Sequence, residues 1–341
     1  MIGAWRRPRV LDPERIPLPE LFGIRSTRAL TRDWQELLTD ALRGRRFQVG
    51  PGSAGLLRPD LSMPAWLGQI RSDGLAPIFN LFDRHGGGHR YSQRVSRRAQ
   101  QDFRGGRLSY DEHDGVDFVI PPGTPLLAAA PGTCVMVRDR WLRGGLTVAL
   151  DHGGGIVTHY THCARPLVTA GQPVRRGEPV AVSGTSGADM THFFPWVPPH
   201  VHWMVWRSGQ PIDPFRAPGE PDEPGTWQRR NDPLPSPVTD EPVPPTSPVD
   251  AAAMQEALDA CQHGGLRAEL RSAASLGDAV LGAMVEEMLH HERFAWPASF
   301  ARYRIRPAGS RMPASDVQMT LPLPAEDYRG TYFADTPATR P

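Results

Sequence analysis

Two histidines one residue apart, His200 and His202 in HVHW, are the pair in this sequence best placed to share a chemical task. In a β-strand, residues i and i+2 point to one face. The two imidazoles therefore project together, while Val201, Trp203 and Val205 point the other way, toward a core. Far upstream, HDGVD supplies His113 and Asp117. Imidazoles and a carboxylate are ligand types that zinc prefers, and three protein ligands leave open the position that separates a catalytic zinc from a closed structural one. Such a centre acidifies water and polarises a carbonyl. One histidine of the His-x-His pair is then spare, and with His162 in HYTHC it is suited to handling protons and steadying an oxyanion. In a strand over 156–162, alternation puts Tyr160 and His162 on one face and His159 on the other.

Other clusters carry less. His85 and His89 enclose three glycines and have no acidic partner at a fixed spacing. His290-His291-Glu292 has Ala295 where a zincin signature needs its second histidine. His152 follows a strand in a glycine turn and is expected to be solvated. Cys134, Cys163 and Cys261 are odd in number and widely spaced, which fits buried free thiols better than a disulfide framework or a zinc ribbon.

The elements that must position these residues follow from the texture of the chain. From 108 to 215, short β-rich runs alternate with glycine turns. The candidate strands are Asp117–Ile120, Thr133–Arg138, Leu146–Asp151, Ile156–His162, Pro179–Ser183 and His200–Trp206. Their short connections imply an antiparallel sheet, because parallel pairing needs long crossovers. Residues 1–107 read as an irregular, Arg-rich, partly helical extension packed on something else. Its clear helix places Trp34, Leu37, Leu38, Ala41 and Leu42 on one stripe, with Thr31 as cap and Gly44 as stop. Residues 216–250 read as a Pro-rich, extended linker. In 251–341 two helical stripes, Met254 to Cys261 and Leu276 to Leu289, form a helical hairpin followed by an irregular tail, and a protein partner is expected for the hairpin.

Composition excludes several function classes. The 341 residues carry 38 basic and 37 acidic side chains, a net charge of +1 that advertises neither nucleic acid nor an anionic membrane. No apolar run approaches the roughly 20 residues of a spanning helix, so no transmembrane segment is expected. Proline, at 37 residues, is about twice its average usage, which requires extended segments somewhere.

Between 108 and 215 the chain resembles the lysostaphin-type (LytM-like) zinc endopeptidases of bacterial cell walls. The resemblance rests on HDGVDF, GTPLLAAAPG, a glycine-marked hairpin into YTH, then VTAGQPVRRGEPVAVSGTSG, and finally HVHW running into GQPIDP, in the family's order. It implies a mainly β catalytic domain of the lysostaphin-like, duplicated hybrid motif type. It implies one Zn2+ per chain held by His113, Asp117 and His202, with His162 and His200 as the catalytic histidines. The implied substrate is a peptide bond of peptidoglycan, in a cross-bridge or stem peptide, attacked by a zinc-activated water. Cys163 stands where the family usually has Leu. The insertion ADMTHFFPWVPP before His200 adds His192, Phe193, Phe194 and Trp196, expected either to wall the substrate groove or to cap the sheet.

Two other functions compete with an active peptidase. A non-catalytic relative that binds wall or activates a hydrolase would typically lack metal ligands, and every one is present. VTAGQPVRRGEPVAVSG also resembles the hammerhead of biotinyl and lipoyl carrier domains, but the chain has no lysine to modify. The family implies a periplasmic or extracellular setting, whereas the arginines near the amino terminus are not followed by the apolar run of a secretory signal, so localisation is left open.

Overall fold

The structure, a computed structural model, describes residues 4–9, 16–42, 57–82, 113, 115–141, 144–207, 210–215, 226–229, 232–247 and 317–334, with isolated positions at 255, 259, 268 and 271. Its elements, in chain order, begin with β1 (Trp5–Arg6), α1 (Leu18–Leu21), α2 (Thr27–Leu42), α3 (Pro59–Trp66), β2 (Ile70–Arg71) and β3 (Leu75–Asn80). Then come β4 (Val116–Val119), β5 (Pro125–Leu127), β6 (Gly132–Arg140), β7 (Gly145–Asp151), β8 (Ile156–Pro166), β9 (Pro173–Val174) and β10 (Pro179–Ser183). After these follow α4 (Ala188–His192), β11 (His200–Arg207), β12 (Gln210–Ile212) and β13 (Gly330–Phe333). Among the described residues, no helix is long and apolar enough to cross a membrane.

The expected strands appear as β4, β6, β7, β8, β10 and β11, and their pairing is antiparallel. The main sheet runs β13-β3-β4-β11-β8-β7-β6-β9, with β10 joined to β5 and β8. One pair departs from the antiparallel expectation. β13 lies parallel to β3, which is possible because the chain between them is far longer than any hairpin loop. The fold is thus mainly β, with a mixed sheet.

Val201, Trp203 and Val205 of β11 are fully buried and join Val116, Phe118, Val148 and Tyr160 in one core, the alternation expected for this strand. Cys134 and Cys163 are buried thiols; burial raises Cys163 and pushes Cys134 up to about 11. The same core contains Ala76, Ile78, Phe215, Trp227, Met319, Leu321 and Tyr328. It therefore reaches beyond both ends of the expected catalytic segment. Trp227 stacks on Trp203 at 4.9 Å between ring centres, and Met319 exchanges backbone hydrogen bonds with Thr226 and Gln228.

The N-terminal extension is more ordered than its composition suggests, since β3 forms part of the sheet. The cap of α2 is Ser26, whose Oγ accepts the Ala29 N–H at 3.1 Å. Thr31, expected as the cap, lies inside the helix and donates to Thr27 O at 2.8 Å. Gly44, His85, His89, Cys261, His290 and His291 lie outside the described residues. So does nearly all of the expected hairpin, in which positions 255, 259, 268 and 271 are helical.

The stretch expected as a linker is packed where it is described, so the boundary expected at 215/216 falls inside the body. Arg176 grips Glu241 through two hydrogen bonds of 2.8 and 2.9 Å and donates to Ala129 O and Gln318 O. Ser247 donates to Asp151 Oδ1 and accepts the Gly155 N–H, each at 2.7 Å. Prolines explain how such a segment can be buried. They have no N–H, so laying them on a surface strands no donor. Residues 232–247 are accordingly expected to resist limited proteolysis in the full chain, and Arg176→Ala to open them. Rapid cleavage there in the unmodified chain, read by mass spectrometry, would contradict this packing.

His152, expected to be solvated, is fully buried, hydrogen-bonded to Pro131 O at 2.9 Å and Thr158 Oγ1 at 2.8 Å. Burial pushes its pKa down to about 4. An unfolded histidine titrates near 6.5, so between these values the unfolded chain binds the extra proton. Stability should fall as pH drops through this window, by up to about 3 kcal/mol from this group. The loss of melting temperature between pH 7 and 4.5 should be smaller in His152→Asn than in the unmodified chain. An equal loss in both would refute the assignment.

Candidate metal centre

The register of three strands assembles the site. In β4 and β11, Asp117 pairs with His202 and Val119 with His200, so both histidines share the face of the carboxylate. His113 precedes β4 and reaches the same point. His113, Asp117 and His202 place ligand atoms within 4.8 Å of one another, and all three are buried. His202 Nδ1 lies 2.8 Å from Asp117 Oδ1, His113 Nε2 3.2 Å from Oδ2, and His200 Nε2 3.6 Å from Oδ1.

Carbonyl acceptors set the tautomers. His113 Nδ1 donates to Leu81 O at 3.0 Å, His200 Nδ1 to Pro198 O at 2.8 Å, and His162 Nδ1 to Ser186 O at 2.8 Å. In each neutral ring the remaining lone pair is then on Nε2. Burial is the largest influence on His200 and pushes it down to about 4, despite the attraction of Asp117. Burial also acts most strongly on Asp117, raising it. The charges of His113 and His200 and the hydrogen bonds from His113 and His202 outweigh that and hold the carboxyl well below its usual range. A buried carboxylate facing nitrogen lone pairs requires a proton or a cation between them, and two imidazoles with one carboxylate are a donor set that zinc accepts. The residues fit the metal.

His162 joins the site by a route that strand alternation misses. Tyr160 lies in the core beside Trp203, and Thr161 pairs with His202, so regular alternation would have sent His162 coreward with Tyr160. Instead His162 adopts φ 63°, a left-handed conformation uncommon outside glycine. Its ring comes to 5.0 Å from His200 and 6.1 Å from His202. Ser186 holds this turn in place. Its hydroxyl donates to Cys163 O at 2.7 Å and accepts the Leu146 N–H at 2.9 Å, while its carbonyl receives His162. A Cβ on Gly145 would fall 2.2 Å from Ser186 Oγ, so only glycine permits that approach. Gly115 is constrained likewise, because a Cβ there would fall 2.8 Å from His202 Cε1.

The N-terminal extension also contributes. Phe79 of β3 meets His200 edge-on at 5.0 Å. Met190 and Val197 of the insertion pack with Leu61, Ala65, Phe79 and Val119, whereas Phe194 and Trp196 are each 50% exposed. The insertion therefore both caps and projects. The side chain of His192 lies outside the described residues. Sequence reading missed Ser186, Phe79 and the Leu81 carbonyl; Gly115, inside HDGVD, was the one with a visible signal.

Residues 111–214 match Peptidase family M23. An uncharacterized metalloprotease of Haemophilus influenzae is 37% identical over 103 residues, covering 30% of this chain and 20% of the relative. Peptidoglycan DD-endopeptidase ShyA of Vibrio cholerae is 33% identical over 105 residues, 31% of this chain and 23% of the relative. Among solved structures, the catalytic domain of lysostaphin from Staphylococcus simulans is 28% identical, covers 30% of this chain and 76% of that one, and superposes with a TM-score of 0.27. The chain thus spans about a fifth to a quarter of the length of these curated relatives.

Proposed function

From the premise that residues 111–214 form a domain of peptidase family M23, we propose that this chain is a zinc-dependent endopeptidase acting on peptidoglycan, in cross-bridges or stem peptides. The observation that carries this reading is the buried set His113, Asp117 and His202, with ligand atoms within 4.8 Å, beside the adjoining rings of His162 and His200. His113, Asp117 and His202 would hold one zinc ion. Zinc there supplies Lewis acidity toward water and toward the scissile carbonyl.

The chain's own groups do the rest. The Nδ1–H groups of His162 and His200 are committed to Ser186 O and Pro198 O, so each ring takes up a proton only at Nε2. His200 is held neutral at pH 7 by burial and is available as a base. A proton taken at Nε2 can be returned to the leaving amine, and a protonated ring can stabilise negative charge on the former carbonyl oxygen.

The test is metal analysis of the purified full chain, with digestion of isolated peptidoglycan before and after chelation. Near-stoichiometric zinc, new amine termini, and their loss and recovery with zinc are expected. Cleavage unaffected by thorough chelation, or none after zinc loading, would overturn the proposal.

A further inference from the structure

β3 does not alternate regularly as it passes the metal centre. Ile78 pairs with Phe118 and Asn80 with Asp117, so the register shifts by a residue between them, and such a bulge re-aims a side chain. Ile78 and Leu81 lie in the main core, whereas Phe79 belongs to the cluster with Val119 and touches His200. With 78 and 81 on the core side, Phe79 and Asn80 are left together on the face that carries Asp117. Asn80 is only 4% exposed, and its Oδ1 has no hydrogen-bond partner among the described residues.

Several described polar atoms at this point are engaged. Asp117 receives three imidazoles, and the Nδ1 atoms of His113, His162 and His200 meet carbonyls. Among the described residues Asn80 Oδ1 is a buried acceptor without a donor, an unfavourable state that a ligand bearing an N–H relieves. A peptide whose scissile carbonyl lies at this centre presents backbone N–H groups one residue away. A carboxamide oxygen can receive one without placing a second negative charge beside Asp117.

We propose that Asn80 Oδ1 accepts a backbone N–H of the bound peptide next to the scissile bond, so that a residue outside 111–214 belongs to the substrate site. The assignment rests on the peptidase reading above. It also names what the substrate must offer: an unmodified secondary amide flanking the bond that breaks.

The test uses the zinc-loaded full chain and a cross-linked peptidoglycan peptide that it cleaves. It is compared with analogues in which each N–H neighbouring the scissile bond, but not within it, is replaced in turn by an ester oxygen. The unmodified chain should lose about 10-fold or more in kcat/KM on one analogue, and Asn80→Ala should lose a similar factor on the parent peptide. Asn80→Ala should no longer distinguish the parent from that analogue, with zinc content and melting temperature unchanged. Asn80→Leu keeps the volume without an acceptor or a charge and should likewise lose the preference, so it serves as the test if Asn80→Ala does not fold. Loss of zinc from Asn80→Ala, or the same amide preference with and without the carboxamide, would overturn the assignment. An unmodified chain that cleaves no peptide would bring down the peptidase reading itself. One that cleaves amide and ester forms alike would bring down only the role of Asn80.

Discussion

Asp117→Ala is expected to leave purification without zinc and without peptidase activity. Among the described residues Asp117 is the one anion at the centre, and three imidazoles converge on it at 2.8, 3.2 and 3.6 Å. Its removal deletes a ligand and also frees the rings that it orients. The fall in zinc affinity should exceed the roughly 10- to 100-fold typical of losing an outer partner of a ligand. Asp117→Asn keeps the volume and part of the hydrogen bonding, so it should fold like the unmodified chain while still losing most of the metal. Metal analysis after desalting, with a melting curve on the same samples, separates metal loss from unfolding. Stoichiometric zinc and full activity in Asp117→Ala would refute the ligand assignment.

For His162 and His200 the expected loss is in rate rather than metal. Either alanine variant should fall by about 10²–10⁴ in turnover, the range for a positioned acid–base group, while keeping zinc. His162 is the sharper case, because its ring stands 6.1 Å from His202 and its Nδ1–H is tied to Ser186 O at 2.8 Å. Metal loss from His162→Ala would move that residue among the ligands and reverse the division of labour.

The five residues that the fold brings together were legible as candidates because each sits in a short motif whose spacing has a mechanical meaning. Alternation alone placed His200 and His202 on one face of β11. It failed at His162, where a positive φ without a glycine carries no sequence signal. β3 was invisible for a different reason. LAPIFN is almost wholly buried, so no polar face marks a period of two, and Pro77 argues against a strand interior. The prolines of 232–247 misled in the same direction, since a segment that cannot make a ladder can still be packed through its carbonyls and side chains. The contact of Phe79 with His200 therefore came unannounced.

The pairing of β13 with β3 has a consequence for how the chain is made. The hydrogen bond from Arg329 to Asp73 O joins residues 256 positions apart, and Arg6 meets Asp327 across 321. Contacts of such separation form slowly, because the loop they close must first be ordered. During synthesis β3 would wait beside β4 with one edge unsatisfied until residue 333 is available, an arrangement prone to mispairing with other chains. β13 thus acts as the closing piece of a sheet whose inner members carry His200, His202 and Asp117, and a nascent chain halted before it would hold these side chains on an unfinished scaffold.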